Sequence, residues 1–168
     1  MIKQYDECVE YGGFSGPVMF TGSLSRASEN FLDGYHGLHV HAGSDISSCS
    51  SLGGHMTVDD NEIHGPSSFA LPQRHAGDLG NIMVTNMSAM VNINDDVLSL
   101  DSSSPYYIGY RGMVLHALMD DENPARDPSS TGAAGARVGC CLITSSSTHN
   151  NRQIESKRAL IFLSFPCT

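Results

Sequence analysis

No run of about 18 apolar residues occurs in this 168-residue chain, so no stretch has the length and character of a membrane-crossing helix. Basic side chains are also scarce. Nine Lys and Arg stand against eighteen Asp and Glu, leaving a formal net charge of −9, which argues against nucleic acid and against insertion into or onto an anionic membrane. An anionic substrate would need a local positive site. No segment sustains a helical hydrophobic period beyond about two turns, and there is no internal repeat and no low-complexity tract. None of the five cysteines, Cys8, Cys49, Cys140, Cys141 and Cys167, forms a CxxC pair, which argues against a zinc ribbon and a thioredoxin-like redox motif. The opening residues, MIKQYDECVEYGG, lack the apolar core of a secretory signal, so a mature, processed form is one reading.

Hydrophobic residues make up 40% of the chain, ordinary for a globular protein of a size that buries one core, so residues 1–168 are expected to form a single domain. Short apolar or alternating runs recur between clusters of Gly, Ser, Asn, Asp and Pro: 17–22, 37–41, 82–85, 89–93, 97–100, 113–116 and 138–144. That rhythm predicts strands joined by turns, an all-β sandwich or barrel. Two segments, 44–80 and 120–135, are too long for hairpins, and loops of that length usually carry function. Residues 145–157 are polar and read as a linker. After them comes ALIFLSF, residues 159–165, the strongest β-run, expected to add a strand to the main sheet or to lie in a subunit interface. The five cysteines allow one disulfide with leftovers, or two and one free thiol. Serine richness and the sequon Asn86-Met87-Ser88 lean towards a secreted, extracellular protein, with a cytoplasmic one as the alternative.

The eight histidines are the most informative feature. His39-Val40-His41 sits in a predicted strand, where residues two apart share a face, so both imidazoles can reach one ion. His55, His64 and His75 follow within the long loop, with Asp78 three residues beyond His75, and His116 closes a later strand. Imidazoles with one carboxylate suit zinc, and several imidazoles suit copper or zinc. His36 and His149 fall outside these groupings and read as a hydrogen-bonding residue and a solvated linker residue.

GYHGLHVHAGSD, CSSLGGH, RHAGDLGN, MVLHALMDD and TGAAGARVGCCLI, in that order between Gly16 and Ile143, closely resemble the copper/zinc superoxide dismutase family. The resemblance implies a Greek-key β-sandwich or flattened barrel with a zinc and disulfide loop and an electrostatic loop. It also implies superoxide disproportionation, with superoxide as substrate and copper and zinc as cofactors. Copper ligands would be His39, His41, His55 and His116, and zinc ligands His55, His64, His75 and Asp78, with His55 bridging. Asp120 would link a copper-ligand histidine to a zinc-ligand histidine, with Asp121 its adjacent competitor. Arg137 would attract the anion, Thr131 would narrow the channel, and Cys49 and Cys140 would form the disulfide, leaving Cys141 free. Ala42 replaces a larger residue, the spacings around His64 are slightly long, and the 120–135 loop lacks the usual lysine and glutamate pair, for which Arg126 would substitute. Relative to the family the N-terminal part is shorter by about one strand, and 145–168 is a C-terminal extension. We expect 159–165 to take that strand's place and Cys8 to bond Cys167. A homo-oligomer, most simply a dimer, is implied. The alternative is a dismutase-like extracellular metal-binding or self-assembling structural protein with weak or no activity.

Overall fold

A computed structural model describes residues 17–25, 32–124, 132–144 and 159–161. Its strands are β1 (Val18–Ser25), β2 (Gly34–His41), β3 (Asp78–Val84), β4 (Ser88–Asp95), β5 (Gly112–His116), β6 (Arg137–Leu142) and β7 (Ala159–Ile161), with one 3-10 turn at Cys49–Leu52. They form two sheets, ordered β4-β1-β7 and β3-β2-β5-β6. All pairings are antiparallel except β1 with β7, where Val18, Met19 and Phe20 lie beside Ala159, Leu160 and Ile161 in parallel register. The fold is an all-β sandwich. In it β5 returns to pair with β2, not with its sequence neighbour β4, the crossed order of a Greek key.

Period-two alternation decides which side chains meet. Val18, Phe20 and Leu24 of β1, Ala89 and Val91 of β4, Leu38 and Val40 of β2, and Met113 and Leu115 of β5 point into one core between the sheets. Each of the large aliphatic or aromatic members contributes about 1.5–3 kcal/mol by leaving water. The other faces of β2 and β5 carry His39, His41, Val114 and His116. These are buried too, not by a second sheet but by the long connections that fold over them. Consequently β5 is buried along its whole length, as GMVLH.

Residues 42–54 turn back along the end of β2, with the Ala42 N–H donating to Gly54 O at 3.0 Å and the Gly43 N–H to Leu52 O at 2.8 Å. The disulfide Cys49–Cys140, Cα–Cα 5.6 Å, ties this segment to β6. Between β3 and β4 the chain reverses in two residues, Asn86 (φ 50°) and Met87 (φ 59°). Both are left-handed, as the primed hairpin turns demand.

Three expectations are corrected. Residues 97–100 form no strand, only an isolated bridge from Ser99 to Tyr107. The Asp95 carboxylate accepts from the Val97 N–H at 2.8 Å and the Leu98 N–H at 2.7 Å, curling the chain while Leu98 and Leu100 still enter the core. Cys141 is not free but disulfide-bonded. It follows Cys140 in β6 and so faces the opposite side, into the core. With Cys49 and Cys140 joined, the bond of Cys141 also overturns the expected Cys8–Cys167 bond, since it takes one of those two cysteines; His149, Arg126 and Thr131 lie outside the described residues. Among those described, no helix is long and apolar enough to cross a membrane.

Candidate metal centre

Strand alternation brings His39 and His41 to one face of β2, and antiparallel pairing sets β5 beside them, with His39 opposite Val114. His116 ends β5, where a register irregularity precedes its pairing with Arg137. His55 joins through a bridge to His41. One ring nitrogen from each of His39, His41, His55 and His116 lies within 4.8 Å of the others. A second buried group with the same spacing comprises His55, His64, His75 and Asp78.

Each imidazole of the first group is aimed by its other nitrogen. His39 Nε2 bonds Asp120 Oδ2 at 2.7 Å, His41 Nδ1 donates to Gly53 O at 2.9 Å, and His116 Nδ1 donates to Gly135 O at 3.3 Å. His55 Nδ1 bonds Asp78 Oδ1 at 2.7 Å. The inward nitrogens, His39 Nδ1, His41 Nε2, His55 Nε2 and His116 Nε2, are buried without a hydrogen-bond partner. A buried polar atom left unpaired costs about 1–3 kcal/mol, so four converging on one point mark a place built for a shared electrophile. Four nitrogen donors fit copper, and the residues present match the group the resemblance implies.

Burial keeps these rings neutral, the state a metal requires. Burial, reinforced by His55, lowers His39 to about 3 and His41 to about 2. His116 falls to about 4, again through burial, against the opposing bond to Gly135. His55 is lowered by burial, partly countered by Asp78.

The second group is organised around Asp78, the first residue of β3. Its carboxylate lies 2.7 Å from His55 Nδ1, 3.2 Å from His64 Nδ1 and 3.3 Å from His75 Nδ1, and accepts from the His75 N–H at 2.9 Å and the Gly65 N–H at 3.1 Å. Burial would raise Asp78, but the bond from His55 and the close imidazoles of His64 and His75 outweigh it and hold the carboxylate far below its usual range. Burial likewise opposes the charge on His64, yet the contacts with Asp120 and Asp78 push it up to about 10. Three imidazoles and one carboxylate suit zinc.

Asp120 connects the groups. One oxygen meets His39 Nε2 and the other His64 Nε2, at 2.7 and 2.8 Å. Those two bonds outweigh its burial and lower its pKa. Asn81 grips the same residue through both backbone groups, at 2.8 and 2.9 Å. Asp121 makes neither histidine contact among the hydrogen bonds described. At Gly132 (φ +70°) an added Cβ would come within 1.8 Å of Asp120 Oδ1 and 2.5 Å of His64 Nε2, so only glycine lets the second loop close over this link.

Arg137 donates to the carbonyls of Cys49, at 2.6 Å, and Gly53. The segment pinned by the disulfide therefore positions the guanidinium, whose charge is felt at both His41 and His116. Partial burial lowers its pKa. His36 spans the Leu32 and His116 carbonyls at 2.8 Å each and steadies the end of β5.

The family model for copper/zinc superoxide dismutase matches residues 10–143. The chain belongs to the copper/zinc superoxide dismutase family. It is 40% identical over 133 residues to superoxide dismutase [Cu-Zn] 3 of Arabidopsis thaliana, covering 77% of this chain and 76% of that protein. A putative superoxide dismutase [Cu-Zn] of Autographa californica nuclear polyhedrosis virus is 39% identical over 148 residues, 81% of this chain and 95% of that one. Among solved structures, the clock protein EA4 superposes with a TM-score of 0.62 at 28% identity, covering 79% of this chain and 97% of that chain.

Within this superoxide dismutase fold, sequence reasoning missed three supports of the second group. Arg74, 2% exposed, donates to the carbonyls of Phe69, His75, Ala76 and Asp78 at 3.0–3.2 Å and pairs with Asp95 at 2.6 Å. It lies inside the RHAGDLGN motif, the one signal that could have found it. Asn81 ends the same motif. Glu62 carries no such signal.

Proposed function

We propose that this chain is a superoxide dismutase, an oxidoreductase that converts two superoxide anions and two protons into oxygen and hydrogen peroxide. Copper would be held by His39, His41, His55 and His116, and zinc by His55, His64, His75 and Asp78. The observation that carries this reading is the double role of His55: Nε2 points unpartnered into the first group while Nδ1 meets Asp78 in the second. Copper among four imidazoles supplies one-electron exchange in both directions.

The chain's own residues do the rest. Arg137 provides the local positive charge that draws an anion towards His41 and His116 against the net charge of −9. His55 Nε2, with its basicity depressed by burial, is placed to hold a proton and release it to product. Asp120 keeps His39 and His64 in register, so loosening one group is felt at the other.

We infer in addition an extracellular setting, supported by the Cys49–Cys140 bond and the bonded Cys141, since disulfides persist in oxidising compartments. A two-fold homodimer completes the reading. A second reading is a dismutase-like metal-binding or self-assembling structural protein with weak or no activity, kept open because a solved structure of the same fold is described as a clock protein. Superoxide decay followed by pulse radiolysis on the full chain loaded with copper and zinc separates the two. The first reading expects a rate constant approaching about 10⁸–10⁹ M⁻¹s⁻¹, reduced about tenfold by Arg137→Ile. Decay no faster than in buffer containing zinc-only protein would establish the second.

A further inference from the structure

Residues 57–61 between His55 and His64 are exposed, and the only carboxylate there that turns inward is Glu62, 6% exposed. Its Oε1 accepts from the Val58 and Asp59 N–H groups, both at 3.0 Å, and its Oε2 from the Ala76 N–H at 2.7 Å. One carboxylate thus fastens the outer turn of the loop to the turn that carries His75 and Asp78. The remaining polar groups of that second turn are taken elsewhere. The His75 N–H goes to Asp78 Oδ2, the Gly77 N–H to Met56 O at 2.9 Å, and the His75 and Ala76 carbonyls to Arg74. The Ala76 N–H has Glu62 as its acceptor.

Three donors converging on two oxygens call for two acceptor oxygens at glutamate length. Glutamine would offer one oxygen and turn an amide N–H towards a backbone N–H, and aspartate would fall one methylene short. The clamp acts on spacing, because His75 Nδ1 and Asp78 Oδ1 stand 3.3 Å apart across the very turn it holds.

We propose that Glu62 is a positioning residue for the His55, His64, His75 and Asp78 group, setting its affinity for a divalent cation of the zinc class through the Ala76 backbone. This rests on the two-metal reading above. The test is zinc affinity of the full-length chain, measured by competition with a chromophoric chelator, together with copper affinity at saturating zinc. Glu62→Gln weakens zinc by about 10–100-fold, as loss of an outer support of a metal site does, and leaves copper within threefold. Asp60→Asn, exposed on the same turn, changes neither. Glu62→Asp, which keeps the charge and shortens the reach, weakens zinc likewise and serves if the glutamine variant does not fold. Zinc affinity within threefold of wild type in a folded Glu62 variant overturns the proposal. A wild-type chain that takes no zinc overturns the two-metal reading, and the role of Glu62 with it.

Discussion

A metal bound here would compete with protons for the same nitrogens, and the metal-free chain has a defined pH response of its own. His39, His41 and His116, lowered to about 3, 2 and 4, and the lowered His55 stay neutral in the fold where the unfolded chain is protonated. Below the unfolded histidine value of about 6.5 the unfolded state therefore binds more protons, and stability falls as pH falls. His64 has the opposite sign. Raised to about 10, it contributes fully below about 6.5 and loses that contribution as pH rises through 10. We predict that the metal-free protein loses about 1.4 kcal/mol per pH unit for each net proton taken up on unfolding, with three to four protons approached between pH 6 and about 4.5. Urea titrations at several pH values measure this. A flat profile would show that the imidazoles are not held neutral by burial.

Strands supply His39, His41, Asp78 and His116 of the candidate metal centre, and loops supply His55, His64 and His75, so the centre depends on how those loops are held. Cys49–Cys140 closes a separation of 91 residues, and the carbonyls that seat Arg137 belong to the pinned segment. Cys140→Ser should cost about 2–5 kcal/mol and lower the dismutation rate more than the metal content, because the guanidinium loses its seat before the histidines lose theirs. Thermal unfolding and metal analysis on one sample check both, and equal loss of metal and rate would contradict the argument. The strands themselves were legible, because inner Leu38 and Val40 alternate with outer His39 and His41 on a pleated surface. Residues 97–100 were not: they alternate as a strand does, but two backbone N–H groups bond Asp95 instead of a neighbour. The donor residues could be read from spacing and motif. Arg74 sits in the same motif, but its pairing with Asp95 and the role of Glu62 could not be read, since these contacts reach 21 and 14 residues along the chain and no local pattern encodes them.

At the scale of the molecule, compartment and chemistry remain linked through the cysteines and the β3–β4 hairpin. Asn86 and Ser88 are exposed at its tip, so a chain routed through a eukaryotic secretory pathway should carry an N-linked glycan there, removed by an amidase and absent in Asn86→Gln. A secreted chain of unmodified mass would withdraw this support for an extracellular setting. The wider claim is that two buried groups sharing His55 hold two different metals, one for electron exchange and one for order. Elemental analysis of protein purified without added metal, with superoxide consumption recorded before and after copper loading, tests that claim most directly. The account predicts close to one copper and one zinc per chain after loading, with copper lost selectively in His116→Ala and zinc in His75→Ala. Zinc alone, with no superoxide consumption even after copper loading, would contradict it.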